Sequence, residues 1–477
     1  SEDCAARGRE VWLVAAIVHE VRACTYFFYN FQEKQMDKYR VKCIYGEISS
    51  EKLIKVKVPG SKSITNRALL IAALAKGESR LSGALFSNDA KNMISCLNSL
   101  GIKTDIDEEK ETIVVQGCGG RLPVKNASIN VGSAGTAARF ITALLAFSGG
   151  VYHLDASEQM KKRPMKPLLD ALISLGVIIN YYEKEGHFPF TLDSRDVKGG
   201  RISLDTGISS QFLSAVIMTG FLLKNGLRVD ITGGRESLPY VDMTVKVMES
   251  FGMKPVVTYE NNRASYILEE GKGYSGQSYD IEPDVSAACY FYAMAEILGC
   301  KAQVERVHLD SIQGDIEFVR LLTKMGAKLS ENSEGIVLQG AKDGYYDGLE
   351  ANLNSFSDQS LTLAAVGAFA KSPTKITGVA HIRLQESDRL LAIKTELERL
   401  GIKTEMGEGE ITIFPVSMDS SEVEIETYED HRVAMAFALI GLRREGVVIK
   451  NPGCSAKTFK DYFKILDRIV SESNSQV

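Results

Sequence analysis

From about residue 90 onward the chain repeats one pattern. An amphipathic stretch with helical spacing ends in glycine, and two short stretches of alternating apolar and polar residues follow it. The instances are Leu97-Asn-Ser-Leu-Gly101, Leu172-Ile-Ser-Leu-Gly176, Met248-Glu-Ser-Phe-Gly252, Leu322-Thr-Lys-Met-Gly326 and Leu397-Glu-Arg-Leu-Gly401. Successive glycines are 75, 76, 74 and 75 residues apart, and each stands where a helix C-terminus calls for a left-handed residue. The alternation after them, as in Lys110-Glu-Thr-Ile-Val-Val-Gln116 and Glu410-Ile-Thr-Ile-Phe414, predicts hairpins. Five such glycines in register indicate internal duplication of an α/β unit.

The last helical pattern, 461–470, has no hairpin after it. The Val- and Ile-rich segment 38–58 is the expected donor of its strands. The count is then six β/α units of about 75 residues, which exceeds one core, so three units per domain is the expected division. Crossovers are expected near residue 60 and at Ile281-Glu-Pro-Asp284. That gives one domain from residues 36–60 plus 281–477, another from 61–280, and a ligand cleft between them.

Composition narrows the function. Of 477 residues, 44% are apolar and 25% charged, and the net charge is −5 with no sustained basic block. A globular protein that binds neither nucleic acid nor membrane fits these values. The eight cysteines form no C-x-x-C pair, which fits reduced thiols in the cytoplasm better than a disulfide framework or a zinc site. The first 35 residues stand apart: their apolar run, 12–18, is too short to span a bilayer, and no small-x-small cleavage site follows it. Met36 reads as a natural start, and 1–35 as an extension outside the fold.

Candidate chemistry sits at predicted helix starts. In Val58-Pro-Gly-Ser-Lys-Ser-Ile-Thr-Asn-Arg67 a turn runs into a polar first helical turn carrying Lys62 and Arg67. Ser61, Ser63 and Thr65 can cap its free N–H groups, which attract anions. The Lys does not follow a Gly, so this is not a P-loop. Gly132-Ser-Ala-Gly-Thr136, Met160-Lys-Lys-Arg-Pro164, Ile208-Ser-Ser-Gln-Phe212, Ser237-Leu-Pro-Tyr240, Ser357-Asp-Gln-Ser360, Gln385-Glu-Ser-Asp-Arg389, Tyr428-Glu-Asp-His-Arg432 and Asn451-Pro-Gly-Cys-Ser-Ala-Lys-Thr458 are similar polar clusters. Singly, each reads as a cap or a surface turn. Converging from two lobes, such helix N-termini would form an anion-binding chamber in an acidic protein, suited to phosphate and carboxylate groups.

In order and content the motifs P-G-S-K-S-x-x-N-R, A-G-T, K-R-P, S-S-Q-F, S-x-P-Y, E-S-D-R, D-H-R-x-A-M and A-K-T-F resemble those of the 5-enolpyruvylshikimate-3-phosphate synthase family. The resemblance runs from about Met36 to the C-terminus. It implies an α/β enolpyruvyl transferase fold of two domains, each of three β/α units with sheets outside and helices inside. It also implies transfer of the carboxyvinyl group of phosphoenolpyruvate to the 5-hydroxyl of shikimate 3-phosphate with no metal or organic cofactor; a cytoplasmic monomer is the expectation beside it. The family's phosphoenolpyruvate-site inhibitor is glyphosate.

By motif position the resemblance assigns Lys62, Ser63, Arg67, Ser209, Ser210, Gln211, Ser237 and Asp358 to shikimate 3-phosphate. Lys62, Gly135, Arg163, Gln211, Arg389, Arg432 and Lys457 fall to phosphoenolpyruvate. The reaction needs one proton removed from the attacking hydroxyl and one delivered to the methylene, which two carboxyl groups in opposite protonation states can do. Asp358 is the expected base, Glu386 the expected acid, and Lys62 the partner of the leaving phosphate. Gln385 stands where the family usually has Lys, and His381 where Asn is common; both are expected on the acceptor side. The alternatives are the same chemistry on UDP-N-acetylglucosamine and a non-catalytic anion-binding protein on this scaffold. The first relative uses a loop cysteine before an R-P pair, and 155–164 holds none. Against the second stand intact Lys62, Asp358, Glu386 and Arg432.

Overall fold

The computed structural model describes residues 37–45, 48–207, 209–233, 239–260, 263–416 and 419–475, apart from the side chain of Asp343. The expected extension at 1–35 and the predicted ligand Ser237 lie outside the described residues. The five repeat glycines all have positive φ, 86° at Gly101, 94° at Gly176, 86° at Gly252, 123° at Gly326 and 81° at Gly401. A side chain there would strain the backbone, so glycine ends each amphipathic helix and lets the chain turn into its hairpin. The hairpins pair antiparallel as predicted, for example Lys103–Asp107 with Thr112–Cys118 and Lys403–Met406 with Ile411–Phe414.

Each hairpin extends a parallel pair, and six small sheets result, five of four strands and one of three among the described residues. The segment expected to complete the last unit divides instead. Lys38–Arg40 pairs antiparallel with Val447–Lys450 in the three-stranded sheet, whereas Leu53–Val56 pairs parallel with Lys301–Val304 in another. The reason is the parallel pairing that every unit needs: Ser278–Asp280 fills the same role beside Lys76–Ser82, against the other hydrophobic core.

Six helices are buried almost throughout, because their sequences are apolar on every side. Lys62–Leu74, Gly135–Ala146 and Ser210–Thr219 lie in one hydrophobic core, formed by residues 64–281. Val285–Leu298, Ser360–Gly367 and His431–Gly441 lie in a second, formed by 39–58 and 285–470. The amphipathic helices and sheets surround these central ones. The chain passes between the two cores at Gly60 and Pro283, which form a β-bridge. No helix among the described residues is long and apolar enough to cross a membrane.

Candidate functional site

The N-termini of the central helices carry the clusters singled out in the sequence. Ser61 caps Ile64 N, Ser209 caps Gln211 N, Asp284 caps Ala287 N and Asp430 caps Arg432 N. Ala134, at the start of Gly135–Ala146, offers no side-chain cap, so that helix keeps its first-turn N–H groups for something else. A cavity of about 110 Å³ lies among these helix ends. Five cationic side chains, those of Lys62, Arg67, Arg163, Arg389 and Arg432, line it together with three carboxylates, Asp89, Asp358 and Glu386. The excess is positive in a chain of net charge −5.

Asp358 is held from three sides. Arg389 Nη1 donates to Oδ1 at 2.9 Å, Arg432 Nη2 to Oδ2 at 2.8 Å, and the Tyr240 hydroxyl to Oδ2 at 2.7 Å. Burial opposes its ionisation, but Arg432 and Arg389 outweigh burial and hold the carboxyl well below the usual range. Arg389 is itself fixed by Asp430, which accepts from its Nε at 2.8 Å. A carboxylate so placed is ionised at neutral pH, as a base must be.

Glu386 lies between Lys457 Nζ, 2.9 Å from Oε1, and His431 Nδ1, 3.0 Å from Oε2. Burial again opposes ionisation, and the hydrogen bond from His431 together with the charges of Lys457 and Lys62 outweighs it, so its pKa falls well below the ordinary value. Burial keeps His431 neutral, and its Nδ1 proton faces the carboxylate. In the free site Glu386 therefore lacks the proton that an acid would carry. The reason is Lys457, which the sequence assigns to phosphoenolpyruvate and the fold sets against Glu386.

Lys62 starts its helix with Nζ 3.7 Å from Asp89 Oδ2, and its charge acts on Asp358, Glu386 and His431 alike. A Cβ on Gly135 would stand 2.5 Å from both Arg139 Nη1 and Arg163 Nη1, so two guanidinium groups crowd the uncapped helix end. The Nε atoms of both arginines are buried with no hydrogen-bond partner. Of the two, Arg163 lines the cavity, whereas Arg139 Nη1 donates back to Gly135 O at 2.8 Å. Gln211 bridges this helix end to the neighbouring helix, with Nε2 3.5 Å from Thr136 Oγ1.

Arg67 is committed elsewhere. Its Nε donates to Thr244 Oγ1 at 2.7 Å, its Nη1 to Ser63 O at 2.9 Å and its Nη2 to Tyr240 O at 3.1 Å. Burial lowers its pKa to about 10. With a further bond from Nη2 to Ser214 Oγ at 3.3 Å it ties its own helix to two others, while still lining the cavity. Ser63, Ser209, Ser210 and Gln385 also line the cavity. His381 donates or accepts at 2.7 Å to Ser357 Oγ, beside Asp358. Asp89, Arg139, Tyr240 and His431 were not assigned roles from the sequence. Tyr240 and His431 stand inside quoted motifs, whereas Asp89 and Arg139 look like ordinary helix residues until packing buries them.

The chain is similar to known proteins over most of its length. The family model for EPSP synthase (3-phosphoshikimate 1-carboxyvinyltransferase) matches residues 50–466. The 3-phosphoshikimate 1-carboxyvinyltransferase of Nostoc punctiforme is 41% identical over 408 residues, covering 86% of this chain and 94% of that one. That of Mannheimia haemolytica is 38% identical over 423 residues, covering 87% and 96%. In fold, the EPSP synthase of Acinetobacter baumannii superposes with a TM-score of 0.74 at 24% identity, covering 90% of this chain and 98% of that one. The enolpyruvyl transferase NikO from Streptomyces tendae does so with a TM-score of 0.67 at 17% identity, covering 90% and 96%. The chain belongs to the EPSP synthase (3-phosphoshikimate 1-carboxyvinyltransferase) family.

Proposed function

We propose that the chain transfers the carboxyvinyl group of phosphoenolpyruvate to the 5-hydroxyl of shikimate 3-phosphate and releases phosphate. The observation that carries this reading is the meeting of Lys62, Arg163, Asp358, Glu386, Arg389 and Arg432 in one positively charged cavity between the two cores. Asp358 takes the proton of the 5-hydroxyl as its oxygen bonds to C2 of phosphoenolpyruvate, and Glu386 delivers a proton to C3. The C2–O bond to phosphate then breaks, C3 returns a proton to the Glu386 carboxylate to restore the double bond, and Lys62 supports the departing phosphate. Arg163 and the open helix end at Gly135 hold phosphoenolpyruvate, while Ser63, Ser209, Ser210 and Gln211 hold the acceptor. Two anionic substrates raise the pKa of Glu386 on binding and load it with the proton it needs.

In the same reading, residues 36–60 with 281–477 and residues 61–280 are two domains that close on the substrates. A cytoplasmic monomer suffices, because one chain supplies every group named and the cysteines among the described residues are free thiols. The test is acceptor choice. With phosphoenolpyruvate and equal amounts of shikimate 3-phosphate and UDP-N-acetylglucosamine, the vinyl signals should appear on the shikimate 5-oxygen alone. Product on the UDP-sugar would overturn the reading.

A further inference from the structure

Asp315 occupies the N-cap position of the helix Ile316–Met325, yet its side chain makes no capping hydrogen bond. An aspartate there ordinarily satisfies a first-turn N–H. This one, fully buried, turns toward the cavity wall instead. Its Oδ2 accepts from Ser286 Oγ at 2.7 Å and its Oδ1 from Gln359 Nε2 at 3.1 Å. Gln359 adjoins Asp358, and its Oε1 accepts from Thr362 at 3.0 Å, so that side chain is fixed at both ends. Ser286 Oγ in turn accepts from Arg432 Nη2 at 3.4 Å, the nitrogen that also reaches Asp358 Oδ2 at 2.8 Å.

A hydroxyl has one proton to give. While Asp315 is a carboxylate, Ser286 spends that proton on it and keeps a lone pair for Arg432. We propose that Asp315 is a positioning residue for the transfer: through Ser286 it holds Arg432, and through Gln359 it holds the turn bearing Asp358. The inference rests on the reading above. Protonated Asp315 needs no donor from Ser286, and the hydroxyl proton can then turn on Arg432 and loosen it. The groups facing Asp315 are Asp358, Arg432 and Tyr240 by charge, Ser286 and Gln359 by hydrogen bond, and the Cys289 thiol at its backbone oxygen. Burial, with Asp358 beside it, lifts its carboxyl to about 6, within reach of a pH profile.

The test compares wild type with Asp315→Asn, Ser286→Ala and the double variant, following phosphate release from phosphoenolpyruvate and shikimate 3-phosphate. Asp315→Asn should lower kcat about ten-fold, as expected for losing one hydrogen bond to a charged group, and raise the KM for phosphoenolpyruvate more than that for the acceptor. Wild-type kcat should fall as pH drops through about 6, and the variant should lose that step; substrate ionisation is common to both proteins. Ser286→Ala should produce the same KM pattern, and the double variant should be little worse than either single one. Unchanged kcat, KM and acid limb in Asp315→Asn would overturn the proposal, as would fully additive losses in the double variant. Should Asp315→Asn fail to fold, a wild-type KM ratio in Ser286→Ala overturns it alone. Absence of phosphate release from wild type would instead refute the reaction assignment.

Discussion

The amide oxygen of Gln385 accepts a hydrogen bond from Arg389 Nη1 at 2.9 Å, and the same nitrogen reaches Asp358 Oδ1 at 2.9 Å. One guanidinium nitrogen thus joins the residue expected to face the acceptor with the residue expected to be the base. A lysine at 385 could not accept that bond and would add a cation. Gln385→Lys should therefore tighten shikimate 3-phosphate by a few-fold, up to about thirty-fold. It should also cost about 1 kcal/mol of stability from the bond Arg389 loses. Titration calorimetry and urea unfolding check the two effects, and acceptor affinity no tighter than wild type would remove position 385 from the acceptor side.

Gly135 is where space is tightest. The methyl group of Gly135→Ala would press on the ends of Arg139 and Arg163, 2.5 Å from each, displacing the donors at the open helix end. The expected outcome is a KM for phosphoenolpyruvate raised about ten-fold or more, with the acceptor's KM little changed. Steady-state kinetics in both substrates decide this, and equal effects on the two KM values would count against it.

Glu386 should take up a proton when the cleft fills. Ionised beside Lys457 in the free protein, it meets two anionic substrates on binding, which disfavour its charge. Calorimetry in buffers of different ionisation enthalpy should show net uptake of about half to one proton per complex near pH 7.5. Glu386→Gln should abolish most of it. Uptake unchanged in that variant would move the acid elsewhere.

Much of this is legible in the sequence itself. The repeat was visible because a helix end with positive φ needs glycine, and five such ends recur at one spacing. The central helices were visible as apolar runs following polar clusters. The fate of 53–56 was not, because parallel pairing with Lys301–Val304 depends on how the units close in space rather than on any local pattern. Nor could the charge of Glu386 be read off E-S-D-R: it is set by Lys457 and His431, far along the chain. Nothing in the sequence marks Asp315, and only packing shows that its carboxylate serves Ser286 and Gln359 rather than the helix it precedes.

A second buried acid lies away from the cleft. Glu296 has Oε2 accepting from Ala341 N at 2.9 Å, while Oε1 is buried without a hydrogen-bond partner. Burial raises its pKa from 4.5 to about 7. The folded protein thus holds this proton more tightly than the unfolded chain. The stability it contributes is complete below about pH 4.5 and lost as pH rises through 7. Glu296→Gln, neutral at every pH, should gain about 2 kcal/mol at pH 8, allowing about 1 for the unpartnered amide. Near pH 4.5 the gain should be gone and the variant slightly the less stable of the two, by up to about 1 kcal/mol. Denaturant unfolding at the two pH values is the check, and equal stability of the two proteins at pH 8 would contradict the account.

The measurement closest to the central claim is inorganic phosphate release by the purified chain and by its Lys62→Met variant. Wild type should release one phosphate per shikimate 3-phosphate consumed when phosphoenolpyruvate is also present, and none with either substrate alone. Lys62→Met removes the charge that acts on Asp358, Glu386 and His431. It should lower kcat/KM at least about a hundred-fold, equivalent to roughly 3 kcal/mol of charge stabilisation. No release from wild type with both substrates, or near-normal turnover without Lys62, would contradict the assignment of this cavity as the site of carboxyvinyl transfer.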